Sequence, residues 1–267
     1  MAQTLKTREN RQRIVYTWLL KLKQEHGIAM NRRAVFVVAA LIAAGSYGLP
    51  AQPAAQHTFS EDAAAERIPN LDKLKAEVKQ YHECTCTCGC YKHDIDLQAD
   101  RGIAFLQRRA AHKKPGEKLA LILDIDETTL SNYQEEIGAD FGFVKKNFDA
   151  WAMTAQATAI PGTLRLYKEA QRLGVSIFFI TGRAEDERDA TERNLRAQGF
   201  DHWQGLALRP ASHGKQTTIE FKAGERAKIA AQGYTLALNV GDQWSDLKGA
   251  PEAEFSVKYP DPFYFIP

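Results

Sequence analysis

Two acidic pairs carry the chemistry open to this chain. Asp124 and Asp126 stand two residues apart at the end of the apolar run Leu119-Ala120-Leu121-Ile122-Leu123, and Asp242 and Asp246 stand four apart after Leu236-Ala237-Leu238-Asn239-Val240. Alternation along a strand would send Asp124 and Asp126 the same way, into the crevice beyond the carboxyl end of a parallel sheet. Carboxylates that close repel one another unless a cation lies between them or one keeps its proton. Together the four acids make an oxygen-rich cluster that asks for a hard cation, and Mg2+ suits such a cluster beside a phosphate. A third segment, Thr181-Gly182-Arg183, follows another apolar run and offers a hydroxyl and consecutive backbone N–H groups, an anion cradle. Each motif alone has a plainer reading. D-x-D also fits a solvated turn, and in G-D-x-x-x-D Asp242 also fits a helix N-cap.

The elements that must hold these groups are legible. Leu119–Leu123 is too short for most helices and reads as a strand buried on both faces. Val175–Ile180, Leu206–Leu208 and Leu236–Val240 read as further strands, with Phe255–Val257 a fifth at an edge. Between them, helices are expected over Leu71–Gln80, Asp94–His112, Pro161–Leu173 and Glu185–Gln198, the last two closed by Gly174 and Gly199. Pro161-Gly162-Thr163 reads as the capped start of its helix. Strands alternating with helices imply a parallel sheet with helices on both faces. Residues 131–160, rich in aromatics, exceed what a turn needs and read as a small cap over the site, its rings either the cap's own core or, Trp151 foremost, a platform for an aromatic leaving group.

The run Leu123-Asp124-Ile125-Asp126-Glu127-Thr128, with the segments at Thr181, Lys222 and Asp242, resembles the haloacid dehalogenase (HAD) superfamily of phosphohydrolases. The flanking Leu130-Ser131-Asn132-Tyr133 is similar to its subfamily IIIB, the class C and plant vegetative-storage-type acid phosphatases. The resemblance spans roughly Asp72 to the C-terminus and implies a HAD-like Rossmannoid sheet with a small cap after the first strand. It also implies roles. Asp124 is the nucleophile and Asp126 the acid–base group. Asp124, Asp126 (through its carbonyl) and Asp242 hold Mg2+, with Asp246 supporting that shell. Thr181, Gly182 and Lys222 bind phosphate, Lys215 being the lower-ranked competitor for the lysine. Thr128 is expected to brace Asp126, and Arg183 to support the cradle. Without the resemblance Lys222 reads as a solvated surface lysine. The implied activity is phosphomonoester hydrolysis. Nucleotidases, phosphotransferases and storage or phosphate-binding proteins share the scaffold.

The chain's 267 residues, 44% of them hydrophobic, suffice for one full domain with extras. Asn31-Arg32-Arg33 followed by Ala34–Ala44 reads as a secretory signal within residues 30–51, with residues 1–29 a non-native upstream extension and 52–70 a flexible leader before the domain at 71–267. A periplasmic or secreted protein without a stable membrane anchor is expected once the signal is cleaved. Residues 1–51 hold 8 of the 35 basic and 2 of the 33 acidic side chains, so the remainder carries 27 against 31, a net of −4. That balance argues against a nucleic-acid polymer as partner. A small-molecule phosphomonoester is the expected partner, and a homo-oligomer is left open. All four cysteines fall in Cys84-Thr85-Cys86-Thr87-Cys88-Gly89-Cys90. Cysteines two apart bridge only with strain, so a Cys84–Cys90 disulfide is the easier pairing. Inert thiols, or a soft-metal site with His82 or His93, are the alternatives.

Overall fold

The computed structural model describes residues 68–86, 90–213 and 216–266. The upstream extension, the signal and nearly all of the leader lie outside the described residues, as does Lys215. Asn70 opens helix α1 (Leu71–Glu83), its side chain accepting from the Asp72 and Lys73 amides. Helix α2 (Tyr91–Ala111) begins three residues earlier than its periodicity suggests. Among the described residues no helix is long and apolar enough to cross a membrane.

Five parallel strands form the sheet, in the order β5-β4-β1-β6-β7. They are β1 (Lys118–Leu123), β4 (Ser176–Ala184), β5 (Gly205–Arg209), β6 (Tyr234–Gly241) and β7 (Phe255–Lys258). Strand β7 is the edge strand that the sequence suggests. The chain leaves β1 toward β4 and β5, then crosses back to lay β6 on the other side of β1. This reversal opens a crevice at the carboxyl ends of β1 and β6, where α/β sheets bind ligands.

The unbroken apolar run of β1 follows from burial on two faces. Leu119, Leu121 and Leu123 join one core with Ile95 and Leu106 of α2 and with Leu166 and Tyr167 of α5 (Pro161–Arg172). Ala120 and Ile122 join a second core with Phe221 and Ile229 of α7 (Thr218–Ala231). Asp124 continues the even series, on the face that α7 covers.

The insertion after β1 holds a two-stranded antiparallel ribbon, β2 (Leu130–Ser131) with β3 (Thr158–Ala159). Between them lie two short helices, α3 (Tyr133–Gly138) and α4 (Lys145–Thr154). Helix α5 then starts without a side-chain cap. The Thr163 hydroxyl is taken up elsewhere, donating to the Thr128 carbonyl at 2.5 Å. After β4 come a single 3-10 turn (Glu185–Glu187) and α6 (Arg188–Ala197). Helix α7 carries a capping box at Thr217 and Glu220, and α8 (Trp244–Leu247) follows β6. Gly174 (φ 67°) and Gly199 (φ 89°) reverse the chain after α5 and α6, as the sequence leads one to expect.

The cysteine segment departs from expectation. Cys84 and Cys90 are free thiols, so they form no bridge with each other, and Cys86 is disulfide-bonded.

Candidate active site

The tip of β1 is locked by its own turn. The Ile125 carbonyl accepts from the amides of Thr129 and Leu130, each at 2.8 Å, which forces Glu127 to a positive φ of 49°. Glu127 is wholly buried, and its carboxylate accepts from the Asn132 amide and, at 3.3 Å, from the Ser131 hydroxyl. The turn therefore points Asp124 and Asp126 into one cavity of about 650 Å³ over the carboxyl end of the sheet.

Lys222 of α7 meets Asp124 across 98 residues of sequence and lies 2.5 Å from Asp246. All three side chains are buried. Burial pushes the Asp124 carboxyl well above the usual range; Lys222 draws it back, and Asp246, Asp242 and Asp126 raise it further. Burial alone would lower the Lys222 pKa, but Asp124 and Asp246 outweigh it and raise it above its ordinary value. Asp242, at the tip of β6, is likewise raised by burial and by its acidic neighbours. It accepts from Thr128 Oγ1 at 2.9 Å and from Gln243 Nε2 at 2.8 Å.

Carboxylate oxygens of Asp124, Asp242 and Asp246 all lie within 4.8 Å of one another. Three buried carboxylates against one ammonium leave an excess of negative charge, and their hard oxygen donors fit a divalent cation.

Asp126 is held quite differently. Arg183 grips it through Nε at 3.0 Å and Nη2 at 2.7 Å, and Asn132 Nδ2 donates to it at 2.9 Å. Burial raises its pKa, but Arg183 and Asn132 more than reverse that, and the carboxyl ends below its ordinary range. Thr181 Oγ1 stands 3.5 Å from Asp126 and accepts from the Arg183 amide at 3.1 Å. The cradle does not follow its strand, as the sequence suggests. It lies inside β4, where pairing with β5 jumps between Ile180 and Ala184. That jump turns Gly182 outward to line the cavity.

Three expectations are corrected. Thr128 braces Asp242, not Asp126, because the turn carries its hydroxyl toward β6. Asp242 is no helix cap: the N-cap of α8 is Gln243, whose amide donates to Asp246 at 2.7 Å. Trp151 lines a separate, smaller pocket with His82, Tyr91 and Tyr133, and its indole N–H is taken up by Asn132 Oδ1 at 2.9 Å. The aromatic rings at the acid cavity are Phe143 and Phe148 of the insertion and Tyr264 and Phe265 of the C-terminal segment. Asp246, placed in a supporting role by the sequence, stands as a full member of the carboxylate cluster. Asn132, which joins Trp151 to Asp126, was missed. It lies in the Leu130–Tyr133 run, but nothing in its type announces a contact with Asp126.

Among solved structures, the fold is similar to that of the class C acid phosphatase from Bacillus anthracis, with a TM-score of 0.59 at 24% identity over 72% of this chain and 87% of that one. That likeness is one of fold, a parallel α/β sheet with its crevice at the carboxyl ends of the strands. The family model for HAD superfamily, subfamily IIIB (Acid phosphatase), matches residues 47–267, so the chain belongs to that family and is a phosphomonoester hydrolase. Among curated relatives, acid phosphatase 1 of Solanum lycopersicum is 37% identical over 179 residues, 66% of this chain and 69% of the relative. Vegetative storage protein 1 of Arabidopsis thaliana is 30% identical over 208 residues, 75% of this chain and 74% of the relative.

Proposed function

We propose that this protein is an exported, Mg2+-dependent acid phosphatase that works through an aspartyl-phosphate on Asp124. The observation that carries the reading is the meeting of Asp124, Lys222, Asp242 and Asp246 at the tips of β1 and β6, with Asp126 in the same cavity.

One Asp124 oxygen attacks phosphorus in line while the bond to the leaving oxygen breaks. Asp126 gives its proton to that oxygen, then takes one from the water that attacks the same phosphorus. The bond to Asp124 then breaks, and inorganic phosphate leaves. Lys222, the Thr181 hydroxyl and the Gly182 amide hold the equatorial oxygens. Mg2+, held by Asp124, Asp242 and the Asp126 carbonyl with Asp246 beside them, would neutralise charge between nucleophile and phosphate. Because Arg183 keeps Asp126 ionised near neutrality, the proton it must donate is present only in acid, which supports an acidic rate optimum.

The test is phosphate release from an aryl phosphate. Asp124→Asn should abolish it, and acid quenching of the wild type should trap labelled phosphate on the protein. Asp126→Asn should slow alkyl esters far more than aryl esters, whose leaving groups need little help. Substantial turnover by Asp124→Asn overturns the assignment. Phosphate binding without any hydrolysis by the wild type would favour the storage reading that the Arabidopsis relative brings to mind. N-terminal sequencing of the mature protein tests export.

A further inference from the structure

Among the described residues four cations line the acid cavity, and three are neutralised within it. Lys222 bridges Asp124 and Asp246, Arg183 is paired with Asp126, and Lys145 is paired with Asp149 at 2.7 Å. Arg209 is the exception. It has no carboxylate at ion-pair distance among the described residues, and its buried Nε has no hydrogen-bond partner. Nη2 donates to the Thr218 hydroxyl at 3.2 Å, and the guanidinium lies 5.3 Å from the Phe221 ring centroid, which fixes its plane.

Arg209 is only partly buried, and its setting disfavours a further positive charge. Thr218 is the first residue of α7, a helix of 14 residues, whose N-terminus presents partial positive charge. A cation is disfavoured at that end, and an anion is favoured. The capping carboxylate of Glu220 does not answer Arg209, since it accepts from the Thr217 amide at 2.7 Å and the Thr217 hydroxyl at 3.0 Å. Glu187, also in the cavity wall, feels Arg183, Asp149 and Asp126 rather than Arg209. Burial without a counter-charge accordingly depresses the Arg209 pKa.

Arg209 ends β5, two strands from the β1 tip, which at the usual strand spacing is about 10 Å. A phosphoryl group at Asp124 would lie on one side of that gap, and Arg209 lines the same cavity from the other, so two anions bound at once would be closer than this.

We propose that Arg209, with Thr218 and the start of α7, binds a second anionic group of the substrate, a phosphate or a carboxylate. The preferred esters are then doubly anionic ones, such as sugar bisphosphates or phosphorylated short-chain acids. The inference rests on the phosphatase reading and names the substrate class for that site.

The experiment compares kcat/KM within two pairs, fructose bisphosphate against fructose monophosphate and phosphoglycerate against glycerol phosphate. Wild type, Arg209→Met and Arg209→Lys are assayed, with far-UV circular dichroism confirming that each variant is folded. The wild type should favour the doubly anionic member of at least one pair by roughly tenfold or more, as a charge-assisted contact allows. Which pair responds identifies the second group as phosphate or carboxylate. Arg209→Met should bring that ratio toward one, mainly through KM, and Arg209→Lys should restore part of it. A wild-type ratio within about twofold in both pairs, or an unchanged ratio in Arg209→Met, overturns the proposal. Aryl phosphate release by the wild type tests the parent reading separately. If it fails, calorimetric titration with fructose bisphosphate decides the Arg209 site alone: weaker binding by Arg209→Met supports it, and equal binding overturns it.

Discussion

Replacing Arg226 by methionine should unfold the site from behind. Its guanidinium is fully buried and uses four of its five N–H groups on backbone carbonyls: Pro251 at 2.9 Å, Asp246 at 2.7 Å, and Lys248 and Gly249 each at 2.6 Å. Those carbonyls belong to the segment that turns out of α8, whose Asp246 side chain meets Lys222. A hydrogen bond from a charged donor contributes about 1.5 kcal/mol at the low end, so four amount to about 6 kcal/mol. Methionine returns about 2 kcal/mol of this by removing a buried charge and filling part of the space, which leaves about 4 kcal/mol. For a domain of this size that lowers Tm by roughly 8–16 °C. Scanning calorimetry of wild type, Arg226→Met and Arg226→Lys provides the measurement. Lysine should fall between the other two, since one ammonium reaches fewer of the carbonyls. A Tm for Arg226→Met within about 2 °C of wild type would refute the reasoning.

Further outcomes follow from single contacts. In Gly241→Ala the new Cβ would collide with the Asp246 side chain, so aryl phosphate turnover should fall roughly tenfold or more with a lower Tm; two unchanged values would contradict the close approach. Burial pushes Glu136, in the cavity wall, up to about 7, above its unfolded value of about 4.3. The folded chain then holds that proton more tightly, and stability drains away as pH rises between those values, by at most about 4 kcal/mol. Glu136→Gln should therefore raise Tm relative to wild type near pH 8 but not near pH 4, and a difference that does not change with pH would refute this. EDTA should abolish turnover and Mg2+ restore it. Mg2+ should also raise the Tm of the wild type but not of Asp242→Asn; an equal rise in both would remove Asp242 from the cation's ligands.

The sheet was legible because burial on both faces leaves a mark in sequence. Five consecutive apolar residues before Asp124 cannot suit a one-sided strand, and Gly174 and Gly199 punctuate the helices that return to it. The even parity that carries Asp124 to the α7 face was also readable in principle. What sequence hid depends on groups distant along the chain. Lys222 looks like any surface lysine until the fold brings it across 98 residues to Asp124, and only the family resemblance singled it out. The Thr128 hydroxyl chooses between two aspartates by the path of a turn, and the fold settled that choice against the one adjacent in sequence. Trp151 was misplaced because aromatic content identifies an insertion without saying which way each ring faces. Arg209 left no sequence signal, since its distinction is that no described residue supplies it a counter-ion.

The insertion after β1 supplies rings to the cavity wall and, through Trp151 and Asn132, also sets the posture of Asp126. Under the proposed mechanism, leaving-group tolerance and ester selectivity would therefore be mechanically linked. A loop swap meant to change which molecules enter would also disturb the proton donor, and engineering of one trait must keep the Trp151–Asn132 tie intact to spare the other.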